Sequence, residues 1–123
     1  MLKNTDSLWI LVLLAVSCST TQSHRTLLGK TYPPKPAEAE IEVFQTGQPT
    51  RPFERIARLV VHVEKSFFVS SSLENALPEL KKQARLAGAD AVIEIEENWS
   101  TVVETKIYNV TATGIRYTDP PGK

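Results

Sequence analysis

Residues able to do chemistry are few in this chain of 123 residues, and they are scattered. The one cysteine, Cys18, directly follows Ala15, Val16 and Ser17. A single thiol makes neither an internal disulfide nor a thiolate zinc site, so it is either a packed apolar group or an acceptor of covalent modification. His62 falls in an alternating apolar stretch, and the other imidazole, His24, lies far upstream among Ser, Thr and Gln. A partly buried structural histidine is therefore expected rather than a metal ligand. Glu94, Glu96 and Glu97 could hold a hard cation, but Glu94 and Glu96 alternate with Ile93 and Ile95, and Lys106 falls on the next strand. That pattern predicts a solvated charged face. Ser70, Ser71 and Ser72 lack a Gly-x-Ser-x-Gly setting and a His and acid to activate them, so nucleophilic catalysis is not expected. Asp90, two residues past Gly88, suits a turn. The expectation is a protein that binds rather than catalyses, with no cofactor and no metal site.

The charge balance narrows the partners. With 14 basic and 14 acidic side chains the formal net charge is zero, which gives no field for gripping a polyanion; no nucleic acid is expected. With 41% apolar residues the chain is too hydrophobic to be disordered throughout, and its length suits one small domain.

The elements that place Cys18 come next. Lys3 lies in a short polar start, and Leu8 to Val16 form an unbroken apolar run. Nine residues in helix span only about 14 Å against a hydrocarbon core of about 30 Å, so the run cannot cross a membrane. A short start, a brief apolar stretch and small residues predict a signal peptide over residues 1–17. Ending as it does in Ala15-Val16-Ser17-Cys18, this segment resembles a bacterial lipobox. The resemblance implies cleavage before Cys18, a diacylglycerol on its thiol and an acylated new amine. Several acyl chains hold a protein on a membrane where one does not. The next residue, Ser19, differs from the Asp that retains enterobacterial lipoproteins in the inner membrane, so the expected location is the outer membrane, facing the periplasm or the cell surface.

Residues 18–40 are rich in Ser, Thr, Gln and Lys, with Pro33, Pro34 and Pro36 close together. They predict a lipidated Cys on a flexible, proline-rich tether whose second half can dock on the domain. The domain itself is expected over residues 41–118, with 119–123 a disordered tail. Ile41 and Val43 alternate with glutamates as in a half-buried strand, and a second strand is predicted from Ile56 to Lys65. Ser71 with Glu74 has the capping-box pattern. Leu73, Ala76, Leu77, Leu80, Ala84 and Ala87 then form one helical stripe, with Gln83 pointing elsewhere, a disturbance at Pro78 and Gly88 as the left-handed stop. Ala91 to Glu97 and Val102 to Tyr117 read as two more strands whose odd-numbered residues cover the helix. The predicted fold is α+β: one helix on a small, mostly antiparallel sheet of about four strands, in the order β-β-α-β-β.

The run from Leu80 to Ile93, with Arg51 to Ile56 before it and Tyr108 to Gly114 after it, resembles a bacterial superfamily over residues 41–118. Its members include small proteins described as heavy-metal-binding domains and the outer-membrane lipoprotein sensor of the Rcs phosphorelay. The resemblance implies an envelope lipoprotein and offers metal binding as the alternative to partner binding; an enzyme is the least expected outcome. The even positions Tyr108, Val110 and Ala112, followed by Gly114, are apolar where a solvated outer face should be polar, so they are the expected interface. It would serve another envelope protein or self-association, unless Leu27, Leu28 or Tyr32 folds back to cover it.

Overall fold

The computed structural model describes residues 20–64, 72–102 and 105–119. Among these, the elements are β1 (Thr20–Leu27), β2 (Glu42–Val43), β3 (Phe53–Glu64), α1 (Leu73–Ala87), β4 (Ala91–Val102) and β5 (Thr105–Tyr117). They form an α+β fold, one helix on a five-stranded sheet of order β1-β3-β5-β4-β2. The β1–β3, β3–β5 and β5–β4 pairs are antiparallel and β2–β4 is parallel. The expected sheet of about four strands is thus short by one, its element order is wrong and the sheet is mixed.

The added strand is β1, which the composition assigned to the tether. Its eight residues pair without a register break from Thr20 opposite Glu64 to Leu27 opposite Ala57. Edge strands can lie exposed on both faces, and most side chains of Thr21 to Leu27 are exposed, so no apolar alternation marks them. What fixes β1 is a buried amide on the helix. Gln83 is 7% exposed; its Oε1 accepts from Arg25 Nη1 at 3.0 Å and its Nε2 donates to Ser23 Oγ at 2.9 Å. Ser23 Oγ in turn donates to Glu79. Gln83 therefore belongs to the buried stripe, contrary to the sequence expectation, and satisfies its polar atoms on β1.

Ala76, Leu80, Ala84 and Ala87 bury the expected helix face. The helix starts at N-cap Ser72, whose Oγ donates to Asn75 Oδ1 at 2.7 Å; Ser71, the predicted cap, lies outside the described residues. The helix runs through Pro78 and stops at Gly88, which has φ 82°.

Which sheet face the helix covers depends on two irregularities. The register slips between Arg55 and Ala57 on β3 and between Ile93 and Glu96 on β4, and Glu94 has φ 55°. Each slip inserts one residue and reverses the parity of the faces beyond it. Before the β4 bulge Val92 meets the helix while Ala91 and Ile93 face away with Ile115, under Phe44, Phe53 and Tyr117. After the bulge Ile95 turns to the helix side. On β5 the even residues Tyr108, Val110 and Ala112 face the helix, which corrects the expectation that the odd ones do.

Candidate functional site

Tyr108, Val110 and Ala112, the expected interface, are all fully buried in the helix-side core. No apolar strip is left outside on β5, and the proposed cover is not needed: Leu27 and Leu28 remain 40% and 53% exposed. Tyr32 does pack on the core, but at the helix C-terminus. Burial drives the Tyr108 hydroxyl far above the ordinary tyrosine range, and its hydrogen bond to Glu97 Oε2 at 2.6 Å adds to that. Cys18 lies outside the described residues, as do Ser70 and Ser71.

The remaining chemical residues separate into two groups. On the sheet face away from the helix, β1 brings His24 against His62, ring centres 6.1 Å apart, which the tether assignment had hidden. His62 Nδ1 pairs with Asn109 Oδ1, and Asn109 Nδ2 donates to Ser100 Oγ at 3.1 Å. An amide oxygen only accepts, so Nδ1 of His62 carries the proton in this pairing. Among the described residues no group of three His, Cys, Asp or Glu side chains is placed to hold a metal. Glu94 pairs with Arg55 across β5, Nε to Oε1 at 3.0 Å and Nη2 to Oε2 at 3.1 Å, rather than with Lys106. These donors, with Thr113, hold the Glu94 carboxyl below the usual carboxylate range.

The second group lines an open cleft of about 780 Å³ where β3 begins and β5 ends. The segment from Leu28 to Glu40 passes over Gly88 to form one wall, fastened by the Lys35 amide on the Arg85 carbonyl at 2.8 Å and by a Lys35–Asp90 ion pair. Tyr32 donates to Glu54 and stacks under Arg116, whose guanidinium carbon is 4.4 Å from the ring centre. Arg51 pairs with Asp119 at 2.9 Å and lies 3.8 Å over the Tyr117 ring. Tyr117 donates its hydroxyl to Glu42 Oε1 at 3.0 Å; partial burial and this bond push it up to about 12. Asp90, expected only as a turn residue, also accepts from the Tyr117 amide at 2.8 Å. Charges so engaged with one another fasten the chain and leave few donors or acceptors for a ligand.

The outer edge of β1, which pairs with no other strand among the described residues, is a different kind of site. The Leu28 amide donates to the Ile56 carbonyl at 3.0 Å, which makes the even-numbered residues of β1 the ones bonded to β3. Backbone groups of Thr21, Ser23, Arg25 and Leu27 therefore point outward. Natural edges are blunted by Lys, Pro or bulges. β1 has no Lys, Pro or bulge; its one charged side chain is Arg25, and apart from Leu27 the rest are polar.

Among the described residues no helix is long and apolar enough to cross a membrane. Comparison with protein-family models, curated proteins and solved structures finds no match for this chain.

Proposed function

We propose that this chain is a lipid-anchored envelope protein, held through acylated Cys18, whose α+β domain binds a partner protein by accepting a strand on the outer edge of β1. The observation that carries the binding mode is the eight-residue edge of β1, paired without a register break on one side and with no strand on its other side among the described residues. Strand addition gains affinity from main-chain hydrogen bonds and specificity from alternate side chains. The polar Thr, Ser, His and Arg side chains of β1 suit a partner strand better than a greasy contact would. The anchor rests on the lipobox-like Ala15-Val16-Ser17-Cys18 segment.

Two substitutions test the two halves separately. Cys18→Ser should abolish lipid labelling and release the protein from the membrane fraction; a full-length, uncleaved protein that still takes up labelled fatty acid overturns the anchor. Thr21→Pro removes an outward amide without breaking a β1–β3 bond. It should leave the fold intact and abolish envelope crosslinks formed from a photoreactive residue at Gln22. Unchanged crosslinks would move the interface elsewhere.

The alternative, a metal-binding lipoprotein, has the His24–His62 approach in its favour. Zinc titrated into the protein should leave its thermal midpoint unchanged if partner binding is the function; a rise that disappears in His24→Ala favours the metal.

A further inference from the structure

The strand-accepting edge proposed above has a symmetry of its own. On β1 the odd-numbered Thr21, Ser23, Arg25 and Leu27 turn their amides and carbonyls away from β3, and β1 is the last strand of the sheet among the described residues. Odd side chains lie on the helix face, where Arg25 and Ser23 bond Gln83 and Ser23 also bonds Glu79. The even-numbered Gln22, His24 and Thr26 are exposed on the opposite face, with His24 against His62. The outward residues are thus spaced evenly about His24. Cleavage before Cys18, on the reading above, leaves only Cys18 and Ser19 ahead of β1.

A second β1 laid antiparallel against this edge can meet it about a two-fold axis, the symmetry of the commonest protein dimers. Outward residues bond only to outward residues, so the axis passes through a residue and not between two. With the axis at His24, Thr21 meets Leu27 of the second copy and Ser23 meets its Arg25; each pair exchanges both backbone hydrogen bonds, and no outward group of these residues is left over. With the axis at Arg25, two permanent positive charges stand directly opposite, which destabilises a sheet. With the axis at Ser23, Leu27 falls beyond the end of the other β1 and its bonds are lost. The His24 axis also joins two charges that lack a partner in one copy. Among the described residues Arg25 makes no ion pair, and the Glu79 carboxylate has only the Ser23 hydroxyl. Opposite Ser23 of the second copy, on the helix face, Arg25 comes beside that copy's Glu79.

We propose that the strand β1 accepts is β1 of a second copy of this chain, paired antiparallel about a two-fold axis at His24, so that two five-stranded sheets join into one with both helices on the same face. This rests on strand acceptance at β1 and names the partner. Leu27, 40% exposed in one copy, is covered by Thr21 of the other. Anchoring both copies on one membrane raises their effective concentration, so a seam of modest strength is enough.

Cysteine crosslinking of the full protein in isolated membranes tests both partner and register. Opposed residues that share no backbone bonds have Cα atoms about 4.5 Å apart, within disulfide reach. His24→Cys should therefore give a reducible dimer under mild oxidation, while the parent, its only thiol acylated at Cys18, gives none. Gln22→Cys and Thr26→Cys should each fail alone, because the two copies of either residue are offset by about 13 Å along the seam, and should crosslink when co-expressed. All three sites are exposed, so the fold stays in place. Adding Arg25→Glu to His24→Cys should lower the dimer yield several-fold, and Glu79→Arg should restore it. If His24→Cys gives no dimer while a photoreactive residue at Gln22 captures a protein of another mass, the edge takes a strand from a different chain and the self-pairing is overturned. If neither captures anything, strand acceptance fails with it. Dimers formed as readily by Gln22→Cys alone overturn the His24 axis. A dimer of the parent would show a free Cys18 and overturn the anchor; the same variants in a Cys18→Ser background then read the seam.

Discussion

The two ends of this sheet are built differently. At the cleft end, Lys35, Arg51, Arg116, Asp90, Glu42 and Asp119 are engaged with one another or with Tyr32 and Tyr117, and they hold the segment from Leu28 to Glu40 against the helix C-terminus. At the end where β1 begins, the described residues include a half-exposed Trp99 against Tyr108, whose hydroxyl donates to Glu97, and Asn109 donating to Ser100. The contrast teaches that an abundance of charge is not by itself a sign of a ligand site. Charges that satisfy one another close a fold.

The largest expected effect comes from what both ends share. Leu80 is fully buried at the middle of α1, and Leu80→Ala should cost about 2–5 kcal/mol. Hydrogen exchange should quicken together at the Tyr117 and Tyr108 amides; if only one end responds, the ends fold as separate units. Gly88→Ala acts on the cleft end alone. Its left-handed backbone disfavours a side chain by roughly 1–2 kcal/mol, and an added Cβ would meet Tyr32 Cβ at 2.8 Å and the Pro33 carbonyl at 2.7 Å. The expected result is a lower thermal midpoint with faster proteolysis between Leu28 and Glu40; an unchanged midpoint would show that this segment is not seated on the helix.

Alkaline pH should loosen the cleft end as well. Tyr117 has its folded-state pKa raised from 10.0 to about 12, so the protonated form is favoured in the fold. Its contribution is complete below pH 10 and is lost as pH rises towards 12. Thermal midpoints measured from pH 8 to 11 should fall above 10, and less steeply in Tyr117→Phe. The smallest effect belongs to the other end: Trp99 is half exposed but its ring lies against Tyr108, so Trp99→Ser should cost about 1 kcal/mol, less than Leu80→Ala. A loss as large as that of Leu80→Ala would make Trp99 a core residue and remove the contrast.

Much of the α+β plan was legible in the sequence because burial leaves a period. The α1 stripe, the Gly88 stop and parts of β3, β4 and β5 follow from it. β1 left no period because it is exposed along its length, and its fastening runs through Gln83, a polar residue at a stripe position. The faces of β5 were misassigned for another reason. Alternation says which residues share a face but not which face is covered, and the bulge at Glu94 reverses the parity within β4. Tyr108, Val110 and Ala112 consequently read as a bare strip when they are the centre of the core. The cleft was invisible in advance, since its walls come from segments as far apart as Tyr32 and Asp119.

The register of β1 also has a mechanical side. Its first residue is the one nearest Cys18, and its pairing with β3 runs away from that point for eight residues. A pull on Cys18 directed out of the sheet along the strand slides β1 past β3, loading its ladder bonds together rather than one after another. Bonds strained side by side share the force, whereas an unzipping pull breaks them singly. A force applied along that line to the residues ahead of Thr20 would load the β1–β3 ladder without peeling the strand off, and the same pull applied at Leu27 would strip it bond by bond.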